Sequence, residues 1–352
     1  MKSIFPKNLG HQIGIDLGTT NTRIYVKDRG IIVNEPSVVA MNTKTEQILA
    51  VGNEAKNMLG KTPPHIRVTR PLLNGIVSDY EVAEKMIAFF LDKISDGGFS
   101  FFNRPRVVVG VPLEVTEVEM KAVEDAILSA GAKEVHLVYS PVAAAVGARL
   151  PLSDPLGSMI VDIGGGTTEA AVLSLNGVVM WKSTSVAGEE LNRNIMQYAR
   201  DVFNLFIGES QAEQLKIKIG SAAPLAVPVE FPMRGRDVVT GLPKEIMVTD
   251  EHIRVAMQRS LQTIVNTIVA TLEVTPPELT ADIHERGLLL SGGGSLLKGL
   301  DAVIAAATDI PVRITDDPVS AVVRGAGILL ENSSLLNDVV LPTARRSGGR
   351  IS

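Results

Sequence analysis

The 352 residues carry a formal net charge of −5, with 45% hydrophobic and 21% charged residues and no cysteine. That length suits two domains of roughly 150 residues, and the composition excludes a disordered or coiled-coil chain. The acidic balance argues against a broad nucleic-acid surface, and the lack of cysteine excludes disulfides and thiolate metal sites and fits a reducing cytosol.

In chain order, "MKSIFPKNLG" has no continuous apolar core, so no secretory signal is expected. Pro6 limits any helix through Ile4, Phe5 and Leu9, leaving a weak membrane anchor there. No run approaches the ~18 uninterrupted apolar residues of a spanning helix. "QIGIDLGTTNTRIYV" reads as a strand ending near Asp16, a Gly-Thr turn and a second strand, and "KDRG" closes a further hairpin into "IIVNEPSVVAM". "DGGFSFFNRPR" sets Phe99, Phe101 and Phe102 beside Arg104 and Arg106, which suits rings at an acyl boundary with cations on anionic headgroups. The same phenylalanines are equally ordinary core residues.

"PRVVVGVP" is a buried strand stopped by Pro112, and an amphipathic helix follows through Val115, Val118, Ala122 and Ala126, with Thr116 and Glu119 at capping-box spacing. "EVHLVYSPVAAAVG" is a strand leading into a small-residue helix that ends near Gly147. "IVDIGGGTTEAAVL" then repeats the opening pattern, so that Asp162-Ile163-Gly164-Gly165-Gly166-Thr167-Thr168 parallels Asp16-Leu17-Gly18-Thr19-Thr20. Helical stretches cover Glu189 to Ile219 and Asp250 to Glu273, the latter stopped by Pro276-Pro277. "GLLLSGGGSLLKGL" is a strand and a Gly292-Gly293-Gly294-Ser295 turn leading into a helix, whose free N–H groups would suit polar or anionic ligand atoms.

A glycine turn lets backbone amides point together into a cradle for phosphate. A bare carboxylate beside polyphosphate is repelled, so Asp16 and Asp162 make better sense holding a hydrated Mg²⁺ through water. One such turn alone is as well explained as a tight turn, whereas three point to a nucleotide site. Neither the G-x-x-x-x-G-K-[ST] loop nor the G-x-G-x-x-G spacing is present, which excludes two common nucleotide folds.

Together these motifs resemble the superfamily of actin, heat-shock chaperone and sugar-kinase ATPases. "RGRDVVTGLPKEI", "TPPELTADIHERGLLLSGGGSLLKGL" and "DDPVSAVVRGAG" are similar, more particularly, to the MreB family of bacterial actins, and the likeness covers nearly the whole chain. It implies an α/β actin-like ATPase fold of two duplicated domains, each a mixed sheet flanked by helices, with four subdomains around a nucleotide cleft. The domains are expected at 1–148, with a small subdomain at about 34–75, and at 149–352, with a small subdomain at about 186–257.

The resemblance further implies phosphate contacts from Gly18, Thr19, Thr20 and Asn21 on one side and from Gly164, Gly165, Gly166 and Thr167 on the other. It places Glu213 and Lys216 beside ribose and adenine, and Gly292, Gly293, Gly294 and Ser295 at adenosine, with ATP and Mg²⁺ as cofactors. Without it, Glu213 and Lys216 read as solvent-facing helix charges. It implies a cytoplasmic, membrane-associated homopolymer that works with the cell-wall elongation machinery to set rod shape, with Phe99, Phe101 and Phe102 as the membrane loop and no nucleic-acid partner. The alternatives are a small-molecule kinase of the same superfamily, for which no acceptor base is found, and a specialised filament paralogue. A chaperone ATPase would need a peptide-binding domain for which 352 residues leave no space.

One departure concerns hydrolysis. The family has an acidic pair before the proline of "YSPVAAAVG", and the second acid positions the attacking water; here the pair is Tyr139-Ser140. A serine hydroxyl polarises water weakly, so slow or lost hydrolysis is expected, aided at most by Thr167 or Thr168. Glu169 reads as structural, and Ser140 is also readable as tolerated local packing beside another water-ordering group.

Overall fold

The computed structural model describes residues 12–94 and 104–342. The chain divides into two units, one made of residues up to Arg149 together with those from Ser320 onward, the other of Leu150–Val319.

In the first unit, β1 (Gln12–Leu17), β2 (Asn21–Val26) and β3 (Gly30–Pro36) form an antiparallel meander. Side chains alternate across a strand, so Ile13, Ile15 and Leu17 enter the core while Asp16 takes the other face. A small sheet of β4 (Val39–Asn42), β5 (Ile48–Val51) and β6 (Ile66–Thr69) packs with α1 (Asn53–Met58) around Val38, Ala40 and Ala55. The short strands β7 (Leu72–Leu73) and β8 (Ile76–Val77) pair with each other, and α2 (Tyr80–Ile94) buries Met86, Phe90 and Leu91 in the main core.

β9 (Arg106–Val111) pairs parallel to β1, α3 (Glu117–Ser129) starts at a Thr116–Glu119 capping box, and β10 (Glu134–Tyr139) pairs parallel to β9 before α4 (Ser140–Gly147). The sheet order is β10-β9-β1-β2-β3.

The second unit repeats the plan. β11 (Ser158–Ile163), β12 (Thr168–Ser174) and β13 (Gly177–Thr184) make the meander, followed by α5 (Gly188–Phe203), β14 (Leu205–Phe206) and α6 (Glu209–Ile219). β15 (Glu230–Asp237) and β16 (Pro243–Thr249) join β14 in a small sheet. α7 (Asp250–Glu273) then buries Ile253, Met257, Leu261, Ile264 and Ile268 along one helical stripe. After α8 (Pro277–Arg286) come β17 (Leu288–Ser291), a 3₁₀ turn at Gly293–Leu296, α9 (Leu300–Thr308) and β18 (Val312–Ile314). The order β13-β12-β11-β17-β18 matches the first sheet, with a three-strand antiparallel meander extended by two parallel strands.

The helices α10 (Ala321–Glu331) and α11 (Ser333–Val339) belong to the first unit, so the expected second domain ends at about residue 319 instead of 352. The cause is steric. A Cβ at Gly325 would overlap the Ala143 carbonyl oxygen, one at Gly147 would overlap that of Ala321, and one at Gly14 would stand 2.9 Å from the Gly327 nitrogen. Small residues thus let α10 lie directly on α4 and β1. Val323 and Leu329, fully buried there, each contribute about 1.5–3 kcal/mol relative to exposure.

Candidate functional site: two matched hairpins

In the first unit, β1 and β2 are joined through Gly18-Thr19-Thr20. The turn is tied from behind: the Ser37 hydroxyl donates to the Gly18 carbonyl at 2.6 Å, and its amide donates to the Thr20 carbonyl at 3.0 Å. Thr22 Oγ1 lies 2.9 Å from Ser37 Oγ. Thr19, only 4% exposed, accepts from the Gly75 amide at 2.7 Å, so its hydroxyl anchors the turn to the β7–β8 loop. A Cβ at Gly18 would stand 2.7 Å from the Asn21 carbonyl oxygen, so the turn closes too tightly for a side chain. Asn21 opens β2 opposite Pro36.

Asp16 lies one register step behind the turn, directly opposite Arg23 on the same face. Arg23 Nη1 donates to Asp16 Oδ2 at 3.2 Å, with both side chains largely buried. Burial pushes the Asp16 carboxyl above its ordinary value, and the Arg23 guanidinium acts against that rise. On the neighbouring strand Gly110 pairs with Asp16, and a Cβ there would stand 3.0 Å from Ser140 Oγ. Ser140 is therefore at the same end of the sheet as Asp16, as the first residue of α4.

The second unit builds its hairpin alike. The Gly164 amide donates to the Thr167 carbonyl at 2.9 Å, closing the turn. The amides of Gly188 and Glu189, opening α5, donate to the carbonyls of Gly164 and Gly165 at 3.1 and 2.8 Å. Lys216 Nζ, reaching over from α6, donates to the Gly188 carbonyl at 2.7 Å. Lys216 therefore reaches the base of the Gly164–Thr167 turn, and Glu213 lies half-buried on the same helix.

Two of the expected site hydroxyls are engaged within the fold. Thr168 is fully buried and its hydroxyl donates to the Val186 carbonyl at 2.8 Å, so it braces the turn. Ser295 is also fully buried and donates to the Gly292 carbonyl at 2.7 Å. The glycine turn opens a single 3₁₀ turn, and the helix that follows, α9, begins at Leu300. Gly292, at φ 78°, and Gly294 pack against Ile163, where a Cβ on either would overlap its atoms, while Gly293 faces open space. This draws the third turn onto the end of β11, beside Asp162, which pairs with Ser291 on β17 and with Glu169 on β12.

In each unit a glycine turn with an aspartate one register step behind it fits a polyphosphate with a hydrated divalent cation. Among the described residues no group of three or more His, Cys, Asp or Glu forms a metal cluster. A cation here would depend on few carboxylates, on water and on the nucleotide's own oxygens. Phe99, Phe101 and Phe102 lie outside the described residues, and among those described no helix is long and apolar enough to cross a membrane. Sequence reading missed Arg23, Ser37 and Gly75; for Arg23 the signal was countable, since pairing outward from the turn sets Leu17 against Thr22 and then Asp16 against Arg23.

The duplicated sheets, each with an aspartate and a glycine-threonine turn at one end, define an actin-like α/β protein. The structure of MreB 5 of Spiroplasma citri bound to AMPPNP matches with a TM-score of 0.88 at 34% identity, covering 94% of this chain and 98% of that one. The family model described as MreB/Mbl protein matches residues 10–338. Cell shape-determining protein Mbl of Bacillus cereus (strain ATCC 10987 / NRS 248) is 45% identical over 320 residues, 91% of this chain and 96% of that protein. Cell shape-determining protein MreB of Escherichia coli (strain K12) is 45% identical over 325 residues, 91% and 93% of the two chains. The chain belongs to the MreB/Mbl family.

Proposed function

We propose that the protein is a cytoskeletal ATP-binding protein that polymerises into filaments on the inner face of the cytoplasmic membrane and helps set rod shape by organising cell-wall elongation. The observation that carries this reading is the 45% identity to cell shape-determining proteins over 91% of the chain, together with two hairpins that keep the same Asp-to-Thr plan. Gly18, Thr19, Thr20 and Asn21 of one unit and Gly164, Gly165, Gly166 and Thr167 of the other hold the phosphates through backbone amides. Lys216 and Glu213 flank the ribose and adenine, and Gly292, Gly293 and Gly294 supply backbone against adenosine.

Magnesium, when bound, neutralises phosphate charge; Asp16 and Asp162 hold its water shell. A nucleotide gripped by both turns stabilises one arrangement of the two units, and differential binding of this kind favours a polymerising state. Ser140 stands where a water-positioning acid is expected, so hydrolysis is slow. Phe99, Phe101 and Phe102 serve as the membrane loop, with the polymer multiplying weak individual contacts.

Sedimentation with Mg-ATP and liposomes, run beside phosphate release, tests this. Lipid-bound filaments with little phosphate release are expected. A monomer that ignores ATP, or one that phosphorylates a small acceptor, would overturn the reading.

A further inference from the structure

Arg23 is a guanidinium in a place that the fold does not require to be cationic. Its counterpart in the second hairpin, one register step behind the turn and opposite the aspartate, is Glu169. The same strand pairing therefore accommodates either sign, and the charge at Arg23 belongs to the first turn's own chemistry.

The side chain is only 13% exposed, and its one ion pair is a single-nitrogen contact to Asp16. Its Nε is buried without a hydrogen-bond partner. A guanidinium offers five donors in a planar fork, and burying it on one contact leaves most of that capacity unspent. Of the first two cross-strand pairs behind the turn, Leu17–Thr22 faces the core side, where Thr22 meets Ser37. Asp16–Arg23 is thus the nearest pair on the opposite face.

Resting on the nucleotide reading above, we propose that Arg23 is a phosphate-binding residue of the first turn, its guanidinium shared between Asp16 and the polyphosphate of a bound nucleotide. The ligand class is a nucleoside di- or triphosphate. The fork orients Asp16 and presents a fixed positive charge to phosphate oxygens, so part of the affinity persists without a divalent cation. At the same register position of the second hairpin Asp162 faces Glu169 in place of an arginine.

Calorimetric titration with AMPPNP, in Mg²⁺ and in EDTA, tests this on the full chain. Losing a charge-assisted hydrogen bond to phosphate weakens binding roughly 10- to 100-fold, so Arg23→Gln should lose that much, with the larger loss in EDTA. Arg23→Lys, which keeps the charge without the fork, should fall between the two. If Arg23→Gln lowers the ligand-free melting temperature, the same titration compares Asp16→Asn with Asp16→Asn/Arg23→Gln, in which no stranded carboxylate remains. Equal affinities with and without Arg23 in both media, while the wild type binds in Mg²⁺, would overturn the assignment and leave the nucleotide reading standing. No binding by the wild type in Mg²⁺ would overturn that reading itself.

Discussion

The β1–β2 and β11–β12 hairpins agree position by position until their charges are compared. Each places an aspartate at the same register step, an apolar residue after it (Leu17, Ile163) and a buried threonine opposite that residue (Thr22, Thr168). Each threonine ties the turn to the segment after the third strand of its meander, through Ser37 in one unit and Val186 in the other. The difference is the residue facing the aspartate, which is Arg23 in the first hairpin and Glu169 in the second. Two copies of one scaffold thus divide the labour: one turn carries its own cation, and the other sets two acids face to face. Shape is shared because strand pairing dictates it, whereas charge is free to diverge because neither sign disturbs that pairing.

The largest expected effect concerns the chemistry at the first hairpin's end of the sheet. Ser140→Glu restores an acid at the first position of α4, where a negative charge is also favourable to the helix. Phosphate release should rise by roughly 10²-fold or more, within the 10²–10⁴ typical of general acid–base assistance. An unchanged rate would show that Ser140 does not limit hydrolysis. Next in size is the backing of each hairpin. Gly325→Ala forces a Cβ onto the Ala143 carbonyl and should lower stability by about 3 kcal/mol, the upper end for overpacking, as read by thermal unfolding. Gly293→Ala in the second unit meets open space and should shift stability by less than about 0.5 kcal/mol.

The strand-turn-strand duplication, the Thr116 cap and the helix Asp250–Glu273 were legible in the sequence because each depends on neighbours a few residues away. The unit to which α10 belongs was not, since "RGAG" announces close packing without naming its partner, and the partners Ala143 and Gly14 lie far back in the chain. For the same reason the anchoring of the Thr168 hydroxyl was not legible, because its carbonyl partner Val186 lies 18 residues further along the chain. Asp16, Gly18 and Gly164 needed no such information, because their turns are closed by residues within three positions or by the paired strand.

A third aspartate sharpens what an arginine alone can do. Asp250 and Asp16 each have one arginine contact, at 3.1 and 3.2 Å, yet Asp250 is held below its ordinary value and Asp16 is pushed above it. Two things differ: burial outweighs the arginine at Asp16, whereas at Asp250 the Val229 amide, donating at 3.0 Å, outweighs the cost of burial. A carboxylate with a lowered folded value stabilises the protein above its unfolded pKa, and that contribution is lost as the pH falls through the folded value. Asp250→Asn should therefore cost about 1.5–3 kcal/mol near neutral pH and less as the pH falls below the ordinary aspartate range, so that its unfolding curve is flatter on the acid side. Parallel pH profiles for the two proteins would refute that contribution.

A further small effect tests the facing acids directly. Like charges directly opposite each other on adjacent strands are destabilising by about 0.2–1 kcal/mol. Glu169→Gln keeps the shape of the 2%-exposed side chain and removes its capacity to carry charge. The ligand-free protein should melt slightly higher, by no more than about 1 kcal/mol at neutral pH. Magnesium should then offset less of the charge around Asp162, so the gain in melting temperature on adding Mg-AMPPNP should shrink relative to wild type. A lower ligand-free melting temperature would mean that Glu169 is held by favourable contacts stronger than its repulsion from Asp162, and the contrast with Arg23 would then be one of partners and not of charge balance.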